Sequence, residues 1–299
     1  MTPQIFHVDA FTTTPFTGNS AGVVLHADGL TAMQMQQIAR ELRHSETAFL
    51  LKPLHPGTDV HIRYFTPTTE VPICGHATIA AHYVRASVNE SGNCSVSQSS
   101  AAGIHTIHVT RTEEDYSLTM EQGEIMFGEP LDASVIREIA RALGLGADGI
   151  VSTLPTQIVS TGHSKVMVPL ADTALLDALH PDNQALSAIS SRIGCNGFFP
   201  FAILPSKSET AGRMFAPAIG IPEDPVTGNA NGPLGAYLVK HELMSHDGNE
   251  LTFRGYQGRQ IGREGVVDVR VEIENGQPSR VLISGRAVIL FRATAEFAC

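Results

Sequence analysis

Apolar and polar residues alternate with a period of two over residues 267–273, where Val267, Val269, Val271 and Ile273 are separated by Asp268, Arg270 and Glu272. That period predicts a strand with one buried face. Asn275-Gly276 follows, a pair suited to a two-residue hairpin turn, and Val281 and Ile283 supply a returning strand. Ile104, Ile107 and Val109, then Tyr116, Leu118 and Met120, predict a second hairpin turning at Glu113-Glu114-Asp115. Met1 to Phe11 reads as a first strand, because it carries Gln4, His7 and Asp9 and has no basic, long apolar leader.

Helical spacing is rarer. Thr31 is placed to cap a helix whose apolar face carries Met35, Ile38, Ala39 and Leu42. Val135, Ile136, Ile139 and Leu143 predict another, ended by Gly144. The chain therefore reads as α+β with largely antiparallel pairing.

Two stretches of the chain resemble each other. Arg63-Tyr-Phe65-Thr-Pro67, Val71-Pro72 and Gly75-His76-Ala77 match Arg213-Met-Phe215-Ala-Pro217, Ile221-Pro222 and Gly228-Asn229-Ala230. The first part is offset by 150 (213 − 63) and the last by 153 (228 − 75), which puts three extra residues in the second copy, assigned to residues 223–227. Met35, Ile38 and Leu42 match Leu186, Ile189 and Ile193, and Gly18-Asn19-Ser20 matches Gly162-His163-Ser164. A period this long is not a solenoid repeat. It predicts two similar lobes with a boundary near residues 122–131. In each copy the glycine motif opens a helical stretch, from Ala77 through Tyr83 to Ala86 and from Asn229 through Tyr237 to Lys240, with Pro233 in the first turn of the second. Unpaired N–H groups at such helix starts suit a carboxylate.

The lobes differ in their titratable residues. At an offset of 151 (197 − 46), Glu46 faces Gly197; His76 faces Asn229; and Asp224, assigned to the insert, has no partner in the first copy. Glu46 is the candidate acid/base, since the neighbouring Ala48, Phe49 and Leu50 would desolvate it and raise its pKa. His76 would donate a hydrogen bond to substrate, and Asp224 would orient it or bind an amine or hydroxyl. Ser45, Asn19 and Ser20 would add polar contacts, and Gly75, Gly228 and Asn229 the helix ends. Each has an ordinary structural alternative: a strand-start glutamate, a core histidine, an aspartate turn before Pro225. Lys165 reads as a solvated surface lysine.

Composition narrows the partners. The chain has 299 residues, 42% of them hydrophobic, and a net charge of −10. That supports sizeable cores and argues against nucleic-acid or anionic-membrane partners. No apolar run approaches the roughly 18 residues of a membrane span. Cys74, Cys94, Cys195 and Cys299 form no metal-binding spacing and read as reduced thiols of a soluble, cytoplasmic protein. No nucleotide loop, zinc-protease helix or serine-hydrolase elbow is present. The expectation is a small carboxylate substrate with no cofactor and no metal.

His7-Val-Asp9-Ala-Phe11, Phe16-Thr-Gly18-Asn19-Ser20, Ser45-Glu46-Thr47, Arg63-Tyr-Phe65-Thr-Pro67, Cys74-Gly75-His76-Ala77 and Glu223-Asp224-Pro225-Val226-Thr227-Gly228 together resemble the PhzF-like family of phenazine-biosynthesis proteins across essentially the whole chain. The resemblance implies a diaminopimelate-epimerase-like fold: two lobes, residues 1–125 with 287–299 and residues 126–286, each wrapping strands around a central helix, with the active-site cleft between them. It implies cofactor-free isomerisation by a proton shift on a small amino or cyclic carboxylic acid, with Glu46 as acid/base and His76 and Asp224 holding the substrate. A homodimer is compatible with it. Asn229 stands where the phenazine enzymes carry serine, which points away from the phenazine substrate more than from the chemistry. Two alternatives stay open: an epimerase or racemase using Cys74 with an opposed base, and a non-catalytic metabolite-binding protein.

Overall fold

The computed structural model describes residues 2–113, 115–146 and 149–296. Met1, Glu114 and Cys299, which entered the readings above, lie outside the described residues. Contacts divide the chain into two compact units, Met1–Glu121 with Ser284–Cys299, and Gln122–Ile283.

In the first unit, strand Gln4–Ala10 pairs antiparallel with Asn19–Leu25 on one side and with Ala287–Thr294 on the other. Asn19–Leu25 runs parallel to Thr47–Leu51, which pairs antiparallel with Val60–Phe65. Val60–Phe65 continues parallel to Cys94–Ser100, and two antiparallel pairings then reach Gly103–Arg111 and Tyr116–Glu121. These strands wrap helix Gly75–Val88, which packs on Gln4–Ala10, Asn19–Leu25 and Tyr116–Glu121. The wrapping accounts for its composition. His76, Ala77, Thr78, Ile79, Ala80, Ala81, His82, Val84 and Ala86 are all buried, so the helix is apolar nearly all round.

The second unit repeats the plan. Gln157–Thr161 pairs antiparallel with Ile125–Pro130 and with Ser164–Pro169, and Ser164–Pro169 runs parallel to Phe198–Ile203. The sheet goes on through Glu209–Gly212, Glu250–Gln257 and Gly265–Glu274. Helix Gly228–Lys240 is buried against it. Pro233 sits inside this helix, and the backbone four residues earlier, at Asn229, is non-helical (φ −78°, ψ 15°). A proline ring clashes with the carbonyl four residues before it, and the kink at Asn229 relieves that clash.

Several local signals act as their chemistry dictates. Thr31 and Gln34 form a reciprocal capping box at the start of helix Ala32–Leu42. Asn275 and Gly276 both take positive φ (52° and 73°) between strands Gly265–Glu274 and Gln277–Gly285, as a tight hairpin turn requires. Gly144 takes φ 78° just beyond helix Ala133–Ala142. Among the described residues no helix is long and apolar enough to cross a membrane.

The register relocates the insertion. Tyr64 pairs with Val71 in the first unit, and Met214 pairs with Asp224 in the second. Arg63 binds Glu70, and Arg213 binds Glu223. The two copies are therefore already offset by 153 at Glu223 (223 − 70). The extra residues lie in the 3-10 turn Pro217–Ile219 and Gly220, not in residues 223–227. Asp224 accordingly has a first-unit counterpart, Val71, and Cys74 corresponds to Thr227.

Candidate active site

Glu46 stands where the chain leaves helix Ala32–Leu42 and enters strand Thr47–Leu51. Arg43 ends the helix in the left-handed conformation (φ 56°). The Glu46 carbonyl then accepts the Gly22 N–H at 3.1 Å, one residue before the Gly22–Thr47 pairing. A side chain at residue 22 would meet Thr47 Oγ1 at 2.7 Å, so glycine there lets the two strands close and fixes the entry of Glu46.

His76 is the second residue of helix Gly75–Val88 and is buried. Its Nε2 lies 3.4 Å from Glu46 Oε2 and 3.2 Å from Ser45 Oγ, and its Nδ1 lies 3.3 Å from Cys74 Sγ. Both ring nitrogens are thus engaged. Nε2 makes its hydrogen bond with Ser45 Oγ and stands beside the Glu46 carboxylate, and in the tautomer protonated on Nε2 the Nδ1 atom can accept from the Cys74 thiol. The Glu46 side chain is 15% exposed, open enough to be reached and shielded enough to hold one orientation.

The helix end itself is accessible. Cys74, the N-cap residue, makes no side-chain cap. A Cβ on Gly75 would meet nothing within 4 Å, so packing does not demand glycine there, and a ligand can approach the first-turn N–H groups. Glu46, Cys74 and His76 also offer one donor atom each within 4.8 Å of one another, a nitrogen, oxygen and sulfur set suited to a divalent ion such as Zn²⁺.

Asn19 is buried and Ser20 half-buried at the start of strand Asn19–Leu25, opposite Ala10 and Asp9. In the second unit Thr227 caps the kinked helix through its backbone and donates its hydroxyl to the Asp224 carboxylate. Gln257 braces this turn, accepting the Thr227 N–H and donating to the Asp224 carbonyl. Gly228 is buried and Asn229 half-buried, with Asn229 Oδ1 lacking a hydrogen-bond partner. The first unit thus brings Ser45, Glu46, Gly75 and His76 together, and within the second Asp224, Gly228 and Asn229 gather around the Thr227 turn.

Two features were missed from the sequence. Cys74 touches the His76 ring, a contact that the two-residue spacing at a helix start permits. Lys165 is not a surface residue: it is 7% exposed, because its side chain lies in the space left by Gly197.

The chain's relatives are isomerases, and it is an enzyme of that kind on an epimerase-like scaffold. A family model described as phenazine biosynthesis-like protein matches residues 8–293, and the chain belongs to that family. It is 61% identical over 293 residues to the uncharacterized isomerase YddE of Salmonella typhimurium, covering 98% of each chain. It is 36% identical to the trans-2,3-dihydro-3-hydroxyanthranilate isomerase of Pseudomonas chlororaphis, covering 96% of this chain and 97% of that one. Among solved structures it superposes on a Bacillus anthracis phenazine biosynthesis protein of the PhzF family with a TM-score of 0.88 at 30% identity, over 99% of this chain and 100% of that one. A hydroxyproline epimerase from Agrobacterium vitis shares the fold at 13% identity and a TM-score of 0.63, over 98% of this chain and 90% of that one.

Proposed function

We propose that Glu46 is the acid/base of a proton shift on a small amino or cyclic carboxylic acid. The carboxylate takes a proton from one carbon, and the same carboxyl group returns it to another. No net oxidation occurs, and the substrate's bonding electrons move along its own π-system. The observation that carries this reading is the 3.4 Å approach of Glu46 Oε2 to His76 Nε2 at an open helix N-terminus. His76 orients the carboxylate and lends it a proton-bearing partner, and Ser45 shares the same nitrogen. The Gly75 end of the helix supplies positive potential for a substrate carboxylate. Asn19, Ser20, Asp224, Gly228 and Asn229 belong to the same reading as substrate-binding residues, with Asp224 suited to an amine or hydroxyl.

The test is exchange of carbon-bound protons in D₂O, followed by NMR. The panel holds trans-2,3-dihydro-3-hydroxyanthranilate together with cyclic and acyclic amino acids. Exchange in the wild type that disappears in Glu46→Gln, with the variant still folded, is the expected result. Exchange that survives in Glu46→Gln overturns the assignment.

One observation favours a second reading. The 3.3 Å contact of Cys74 Sγ with His76 Nδ1 is a thiol–imidazole pair, and such a pair can yield a thiolate base. An epimerase built on Cys74 would lose activity in Cys74→Ala and keep it in Glu46→Gln.

A further inference from the structure

Strands Glu209–Gly212 and Glu250–Gln257 run parallel, with Thr210 opposite Gly255 and Ala211 opposite Tyr256. Successive residues of a strand point to opposite faces of the sheet. A Cβ built on Gly255 would meet Asn231 Oδ1 of helix Gly228–Lys240, so Thr210 and Gly255 face that helix. Glu209, Ala211 and Tyr256 face the other way, and there they line a cavity of about 340 Å³. All the residues that line it belong to the second unit. Cavities of roughly 300–1,000 Å³ hold small organic ligands.

The far wall comes from two short elements. Gly258 takes φ 89° where strand Glu250–Gln257 ends, at a place where a side chain would run into the Pro225 and Arg263 carbonyls. It turns the chain into the 3-10 turn Arg259–Ile261. Arg259 Nη2 then donates to the two Asp177 oxygens at 2.6 and 2.5 Å, and Gln260 Nε2 donates to Asp177 Oδ1 at 2.6 Å. Asp177 ends helix Thr173–Asp177, whose buried Leu176 lines the cavity together with Leu204. The wall is thus clasped shut through Asp177, and the floor is apolar.

Charge decides what such a space can take. Glu209 is half-buried, and its Oε1 accepts the Tyr256 hydroxyl at 3.1 Å while its Oε2 accepts the Ser206 hydroxyl at 3.0 Å. Both donors are neutral, and a carboxylate offers about four lone-pair sites, so Glu209 has acceptor capacity to spare. Among the described residues neither Glu209 nor Glu264, which also lines the cavity, forms an ion pair within 4 Å. Arg259 brings a positive charge to the wall, but Asp177 matches it. The lining is therefore net negative beside an apolar floor and a phenol ring. An anionic ligand would be repelled. A protonated amine on an apolar body would gain a charge-assisted hydrogen bond at Glu209, with the Tyr256 ring close by.

We propose that this cavity is a second ligand site, which binds the ammonium of a small organic amine through Glu209 and its apolar body over Leu176, Leu204 and Ala211. The site is separate from Glu46 and stands independently of the proton shift. Its ligand is held and not transformed.

The chain has five tyrosines, Tyr64, Tyr83, Tyr116, Tyr237 and Tyr256, so tyrosine rings labelled with ¹³C give a short spectrum. Tyr256→Phe assigns the Tyr256 signal. The protein is titrated with 2-phenylethylamine, 2-phenylethanol and phenylacetate, which share a ring and differ in charge. The expected result is a saturable shift of the Tyr256 signal with the amine, a weaker one with the alcohol and none with phenylacetate. Calorimetry on Glu209→Gln, checked for folding by circular dichroism, should show amine binding weakened about tenfold or more. Ala211→Leu fills the cavity from the strand side and leaves Glu209 in place, and it should abolish the amine shift. No saturable Tyr256 shift with the amine, an equal shift with phenylacetate, or equal amine affinity in Glu209→Gln overturns the proposal.

Discussion

His76 Nε2 and Glu46 Oε2 meet at 3.4 Å from opposite kinds of secondary structure, a helix N-terminus and a strand entrance. The imidazole can fix the rotamer of the carboxylate and carry part of its proton load. Replacing His76 with Gln keeps a donor and removes the imidazole. We expect kcat for proton exchange to fall about 10²-fold, within the usual range for a lost acid–base partner. A pure KM effect, with kcat unchanged, would assign His76 to binding alone.

Glu46, Cys74 and His76 can bind one ion between them, and an ion there would occupy the carboxylate lone pairs that proton transfer needs. Micromolar Zn²⁺ is therefore expected to inhibit exchange, with recovery on adding a chelator. Cys74→Ala should raise the inhibitory concentration while leaving uninhibited exchange in place. Equal sensitivity of the two proteins would place zinc elsewhere.

The duplicated ion pairs offer a matched comparison. Arg213 and Glu223 are 7% and 13% exposed, and Arg213 also donates to the Leu176 and Leu179 carbonyls. Arg63 and Glu70 are 26% and 37% exposed. Breaking the buried pair strands a charge. Glu223→Gln should cost about 3–5 kcal/mol, against roughly 0–1 kcal/mol for Glu70→Gln. Urea unfolding midpoints of the two variants would show the difference. Equal losses would contradict the burial argument.

His82 gives the first unit an acid-sensitive point. It is buried on helix Gly75–Val88, its Nε2 lies 2.7 Å from Gln98 Oε1, and its Nδ1 has no partner. Burial, the largest cause, pushes its pKa down to about 4, against an ordinary 6.5. The unfolded chain takes up a proton at His82 near pH 6.5, while the folded chain resists until about pH 4. Stability contributed by the neutral ring is thus full above pH 6.5 and drains away as the pH falls toward 4, by about 3 kcal/mol in all. Thermal unfolding between pH 7 and pH 4 should be flatter for His82→Gln than for the wild type.

Much of the architecture is legible because its signals are local. The alternation over residues 267–273, the Asn275-Gly276 turn and the Thr31–Gln34 capping box need no knowledge of distant residues. Glu46 and His76 stand out because the repeat makes their replacement by Gly197 and Asn229 visible. Burial of Lys165 was not legible. The residues before it, His163 and Ser164, are polar, and its cover is created by a glycine outside its own strand that pairing register alone brings near. The placement of Asp224 failed for a related reason: an insertion can be aligned to either side of a proline by sequence, and the Met214–Asp224 pairing decides it. The second helix was legible in extent but not in shape, since the kink at Asn229 follows from a proline clash four residues on.

Strand Gln4–Ala10 is flanked by Asn19–Leu25 and by Ala287–Thr294. Its counterpart Gln157–Thr161 finds both neighbours, Ile125–Pro130 and Ser164–Pro169, within its own stretch of chain. On the ribosome the second unit can therefore close as soon as its own residues emerge. The first unit, although synthesised earlier, waits with one edge of Gln4–Ala10 bare until residues 287–294 are made. The nascent protein thus carries an unzipped strand until residues 287–294 emerge, and the sheet that holds Glu46 is closed only then.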